Sequence, residues 1–79
     1  MAENRRVRIF FFGSLGERLG REREIEIPEG GCTVAELRGR LPELAGAIAR
    51  ACIDREVAAE DARVLPGQEV AFIPPLSGG

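Results

Sequence analysis

Glu69-Val70-Ala71-Phe72-Ile73-Pro74-Pro75-Leu76-Ser77-Gly78-Gly79 reads as a strand that runs out into a tail. In an extended chain Val70 and Phe72 point one way, Ala71 and Ile73 the other. The two prolines have no amide hydrogen for a sheet ladder and favour a stiff, extended path away from the domain. Fully stretched, the six residues after Ile73 reach roughly 20 Å, enough to carry a carboxylate into another protein's cleft. Glycine has no Cβ, so a Gly78-Gly79 end passes a narrow channel and leaves its carbonyl open to attack. Domain termini are often rich in small residues, but a strand, two prolines and two glycines in this order suit a terminus used as a substrate.

Working outward, Leu65-Pro66-Gly67-Gln68 puts proline and glycine at the central positions of a type II turn, which gives the last strand a defined start. Its partners are sought at the other end of the chain. From Arg5 to Phe12, Val7, Ile9 and Phe11 fall on one strand face and Arg8, Phe10 and Phe12 on the other. The first face is read as core. An arginine and two phenylalanines are unusual on a solvated face, so either loops cover it or it is a docking patch. Glu24-Ile25-Glu26-Ile27 alternates strictly until Pro28-Glu29-Gly30-Gly31 breaks it, predicting a second strand hairpinned to the first. Between the two, Ser14 and Glu17 have the spacing of a capping box, Leu15 and Leu19 share a helical face, and Gly20 is a natural stop. One or two helical turns are expected there. Gly13 and Gly16 fit neither GxGxxG nor GxxxxGK[ST], so a nucleotide loop is not read.

Thr33 and Glu36 form a second capping box, opening a helix with Val34, Leu37 and Leu41 facing inward. Pro42 disfavours helical geometry at Leu41, where the helix is expected to end. Residues 43–49 are read as a further turn with Leu44 and Ile48 as its apolar contacts. Ala51-Cys52-Ile53 is a short strand, and Asp54-Arg55 the tight turn into another around Glu56-Val57-Ala58. The result is one α+β domain over residues 1–79, a mixed sheet packed on one main helix, with residues 74–79 as the tail. Val7, Ile9, Phe11, Ile25, Ile27, Val34, Leu37, Leu41, Val70 and Phe72 are the expected core.

Composition narrows the chemistry. The formal net charge is −2 and the signs alternate, which argues against general nucleic-acid affinity. No apolar run approaches the roughly 18 residues of a membrane span, and the run behind the charged N-terminus is too short for a signal peptide. A cytoplasmic protein is expected. All 11 basic residues are arginine. Without lysine, Schiff-base catalysis, a P-loop and a role as acceptor in lysine-linked conjugation are excluded. The sequence has 0 histidines, which removes the commonest general base and metal ligand. Cys32 and Cys52 are too far apart for a CxxC motif and are read as reduced, buried filler. Glu60-Asp61 is read as a solvated loop, not a catalytic pair.

Three stretches carry a resemblance: Val7-Arg8-Ile9-Phe10-Phe11-Phe12-Gly13, Thr33-Val34-Ala35-Glu36-Leu37, and the run from Pro66 through Phe72-Ile73-Pro74-Pro75-Leu76-Ser77-Gly78-Gly79. Together they resemble the ubiquitin-like β-grasp sulfur carriers, and most of all the small subunit of molybdopterin synthase, the MoaD family. The helix motif is common, whereas the Pro-Pro-x-Ser-Gly-Gly ending is specific. Asp54-Arg55 departs from the Asn-Gly-like turn more usual there, a difference of hairpin geometry.

The resemblance implies a mechanism. An ATP-using activating enzyme adenylates Gly79, and a persulfide converts it to a thiocarboxylate. The tail then enters the large catalytic subunit of molybdopterin synthase, in a heterotetramer, where the sulfur builds the dithiolene of molybdopterin. Gly78 gives clearance, and Phe12, Val57 and Ile73, with Pro74 and Pro75, face the partners. The chain itself would bind no cofactor or metal, the ATP being used by the activating enzyme. A carrier for thiamine thiazole or tRNA thiolation, and a ubiquitin-like binding module that is never activated, remain open.

Overall fold

The computed structural model describes residues 5–75. β1 (Arg6–Phe11) is followed by α1 (Gly13–Leu19) and β2 (Glu22–Glu26), then by β3 (Cys32–Thr33) leading directly into α2 (Val34–Gly39). A 3-10 turn (Pro42–Leu44) precedes β4 (Arg50–Ile53), β5 (Glu56–Ala58), β6 (Arg63–Val64) and β7 (Glu69–Ile73). Five strands form a mixed sheet in the order β2-β1-β7-β4-β5, and β3 pairs with β6 in a second, two-stranded sheet. β7 is central. It lies parallel to β1, with Phe11 opposite Phe72, and antiparallel to β4, with Ala51 opposite Phe72. This is the ubiquitin-like β-grasp expected from the sequence.

Strand alternation sorts the sheet into two faces. Val7, Ile9, Phe11, Val70 and Phe72 are buried against Val34, Leu37 and Leu41 in one apolar cluster that also takes in Leu15, Ile27, Cys32, Leu44 and Val64. Phe11 and Phe72 stack with ring centres 6.2 Å apart, and the Arg38 guanidinium lies 5.1 Å from the centre of the Phe72 ring. Burying a phenylalanine of this kind contributes about 1.5–3 kcal/mol. Ile25 is the one expected core residue that is only half-buried, because β2 is the edge of the sheet.

The second capping box forms as read: the Glu36 amide donates to Thr33 Oγ1 at 3.0 Å, and the Thr33 amide donates to Glu36 Oε1 at 2.9 Å. The first does not. Gly13 adopts a φ of +58° and turns the chain straight from β1 into α1, so Phe12 is the N-cap, no side chain caps the helix, and Ser14 is already inside it. The regular part of α2 ends at Gly39, earlier than expected, and the chain tightens into the 3-10 turn at Pro42. Ile48 does not turn inward as read; it is 79% exposed. Asp54 and Arg55 adopt φ of 49° and 75°, the left-handed geometry of a hairpin turn. The Asp54 carboxylate supports that geometry by accepting from the Glu69 amide at 3.0 Å and from Gln68 Nε2 at 3.0 Å.

Candidate functional site

The face of the sheet opposite the core is apolar across its middle. The registers place Phe10 opposite Ala71, Ala71 opposite Cys52, and Cys52 opposite Val57, one row running from β1 to β5. Among the described residues no helix covers this row, and Val57 is 67% exposed. Cys52 is nonetheless buried, walled in by its neighbours, yet it stands apart from the core cluster on the other face. On the β1–β2 side the same face turns ionic, where Arg8 pairs with Glu22 at 3.0 Å and Arg6 with Glu24 at 3.6 Å.

Next to the row, Phe12 extends β1 by one amide, which donates to the Phe72 carbonyl at 3.1 Å, and its ring is 50% exposed. Ile73, opposite Arg50, is half-buried, as is Pro74, and Pro75 is exposed. Val57, Ile73, Pro74 and Pro75 line one cleft of about 670 Å³ together with Ile48. Phe12 lines an adjoining cleft of about 220 Å³ with Phe10 and Ala71, and Cys52 is common to both. The five expected contact residues therefore lie around one continuous surface at the root of the tail. Gly78 and Gly79 lie outside the described residues.

Phe10, Ala71, Cys52 and Ile48 complete that surface, and of these only Phe10 was placed on a candidate docking face from the sequence. Phe10 was visible as a face-mate of Phe12. The others needed the strand registers, or, for Ile48, the fact that residues 45–49 make no regular helix.

The tail root is fixed by close packing. Pro74 seats on Gly13, where an added Cβ would lie 3.2 Å from the proline Cγ. The polar chemistry at hand is sparse. Burial pushes the Cys32 thiol above its ordinary range, only partly opposed by the Arg40 guanidinium. A buried thiol with a raised pKa is poorly suited to act as a nucleophile. Among the described residues no group of three or more His, Cys, Asp or Glu side chains converges to hold a metal, and no helix is long and apolar enough to cross a membrane. What the arrangement offers among the described residues is a surface and an exit, with Glu69 and Arg55 lining the smaller cleft.

Comparison with known proteins places this geometry. The putative molybdopterin converting factor subunit 1 of Pyrococcus furiosus superposes with a TM-score of 0.79 at 20% identity, covering 90% of this chain and 98% of that one. The small archaeal modifier protein SAMP1 of Haloferax volcanii gives 0.77 at 25% identity, covering 94% and 99%. Subunit 1 or 2 of the Helicobacter pylori molybdopterin-converting factor complex gives 0.64 at 20%, covering 94% and 99%. No protein of curated function matches the sequence. The ThiS family model matches residues 9–79, nearly the whole chain, and on that match the chain belongs to the ThiS family.

Proposed function

We propose that the chain is a sulfur carrier of molybdopterin synthesis, working in the cytoplasm with Gly79 as the group that carries sulfur. The observation that carries this reading is the tail root: Pro74 and Pro75 leave the end of the central strand, beside an uncovered apolar surface. A partner docked there receives whatever follows Pro75.

A terminal carboxylate has a pKa near 3.5, so at neutral pH it is an anion and a poor electrophile. It must be activated. An activating enzyme lets a carboxylate oxygen attack the α-phosphorus of ATP, and pyrophosphate leaves. A persulfide sulfur then attacks the acyl carbon and displaces AMP. Reduction of the resulting acyl disulfide by a thiol leaves the thiocarboxylate. The acids and bases of these steps belong to the partners, in keeping with a chain that has no histidine. The chain binds neither ATP nor a metal itself. The large subunit of molybdopterin synthase is the proposed recipient, in a heterotetramer; the structure similar to this one in the Helicobacter pylori complex of subunits 1 and 2 supports that partner.

Mass spectrometry of the protein purified from its host tests the reading. The expected species is the intact chain with one oxygen replaced by sulfur at Gly79. Only the free acid, in cells actively making the cofactor, would overturn it. A second reading, a carrier for thiazole synthesis, shares the same fold and Gly78-Gly79 ending. Co-purification of the thiocarboxylate form with the large synthase subunit or with a thiazole synthase decides between the two.

A further inference from the structure

Every cationic side chain of this protein is a guanidinium, and two of them stand at the root of the tail. Arg50 is the register partner of Ile73 and lines the cleft of Pro74 and Pro75. Arg21 lines the cleft of Phe12 and Gly13, the glycine on which Pro74 seats. Both are exposed. The other side chains that attack acyl groups readily are withheld as well. The sequence has neither histidine nor tyrosine, Cys32 is buried, and Cys52, although it lines both clefts, is buried between its strand neighbours.

An activated terminus is a hazard to the protein that bears it. A lysine amine beside the tail would attack the Gly79 carbonyl carbon. A C–N bond would form, the bond to the AMP oxygen or thiol sulfur would break with its electron pair, and the nitrogen would lose a proton to solvent. The six residues from Pro74 to Gly79 give a contour of about 20 Å. For a reactive group on a tether that short, the effective concentration at its own protein surface is of the order of millimolar. At about pH 8 roughly one lysine in 250 is a free amine, and the free-base fraction of arginine is a further hundredfold or more smaller. Arginine thus keeps the positive charge and removes the nucleophile.

We infer that the surface around the tail is built to be inert toward its own activated terminus, so that the acyl group passes only to a nucleophile on another molecule. This rests on Gly79 being activated, as proposed above. It goes further in one respect. Should the terminus ever be joined to a protein amine, the attached copy offers no lysine side chain for a second.

The test makes the electrophile chemically. The full chain is prepared as a C-terminal thioester by thiolysis of an intein fusion and incubated at about pH 8, alongside Arg50→Lys and Arg21→Lys. Circular dichroism confirms that each is folded. The wild type should only hydrolyse to the free acid. At least one lysine variant should lose its thioester roughly tenfold faster, giving a ring-closed or dimeric product with an isopeptide at the new lysine, located by tandem mass spectrometry. Two results would overturn the inference: wild-type self-adducts, through the α-amine or any other group, forming as fast as those of the variants, or both variants decaying by hydrolysis alone. Because no activating enzyme is used, neither result bears on whether Gly79 carries sulfur. Failure to find the thiocarboxylate in cells would in turn leave this chemistry unchanged.

Discussion

At the level of single residues, Phe12 and Gly13 divide the work of the tail root. Phe12 leaves half of its surface exposed at the proposed docking surface and gives its amide to the sheet. Phe12→Asp, and likewise Ile73→Asp, should weaken partner binding by about 2 kcal/mol or more, some thirtyfold in Kd, while leaving the fold intact. Titration calorimetry against the large subunit checks this, and unchanged affinity would count against the surface. Gly13 is the reverse case. Its φ of +58° costs an L side chain roughly 1–2 kcal/mol, and an added Cβ presses on Pro74. Gly13→Ala should therefore lower stability by about that amount in urea denaturation. Gly39 has no atom within 4 Å of an added Cβ and sits in α2, so Gly39→Ala should raise stability by up to about 1 kcal/mol. Equal effects at the two glycines would show that neither geometry matters.

Among the elements, α2 is the one whose beginning is spelled out chemically. Removing the Thr33 hydroxyl leaves the Glu36 amide without its partner, and Thr33→Ala should cost about 1 kcal/mol by the same denaturation assay. The hydrogen bond from the Thr33 amide holds the Glu36 carboxyl below the ordinary glutamate range, and the bond from Arg23 does the same for Glu43. A lowered folded pKa means that stability is present above the unfolded value, about 4.3, and is lost as pH falls through the folded one. The denaturation midpoint should fall as the solution is acidified below about pH 4.3, and fall less steeply in Glu36→Gln, whose amide does not titrate. Elements with such local chemistry were legible in the sequence: the α2 cap, the Pro66-Gly67 turn with Gly67 at φ 91°, and the alternation of β1 and β7. β3 and β6 were not, because two residues carry no periodicity and their pairing, Cys32 with Val64, is a long-range choice. Ser14 misled for a related reason. Capping spacing was present, but the turn at Gly13 had already started the helix. The proposed docking surface was half legible: Phe12 and Ile73 follow from alternation, whereas Cys52 and Ala71 join them only through register.

For the molecule as a whole, the proposed role of the tail separates chemistry from folding. Deleting Gly79 draws the carboxylate back by about 3.3 Å, and adding a residue displaces the reactive carbon by a similar distance, more than acyl-transfer geometry tolerates. Both variants should melt within a degree or two of the wild type, on the scale of a surface substitution, and bind partners through the surface at the tail root. Both should fail to form the acyl-adenylate with ATP and the activating enzyme, or to pass sulfur on. Normal delivery by the shortened chain would hand the function to a binding module. The parallel pairing of β1 with β7 has one more consequence, a mechanical one. The start of β1 and the end of β7 lie at opposite ends of a shared ladder, so tension between them slides one strand along the other and strains every rung together. Arg50 and Ile73 face each other at the same end of the β4–β7 ladder, so tension between those points opens it one rung at a time. Held by Arg6 and the tail in a force spectrometer, the protein should resist a markedly larger force than when held by position 50 and the tail. A partner that tugs on the tail while the rest of the domain is anchored through β1 pulls along the grain of the sheet.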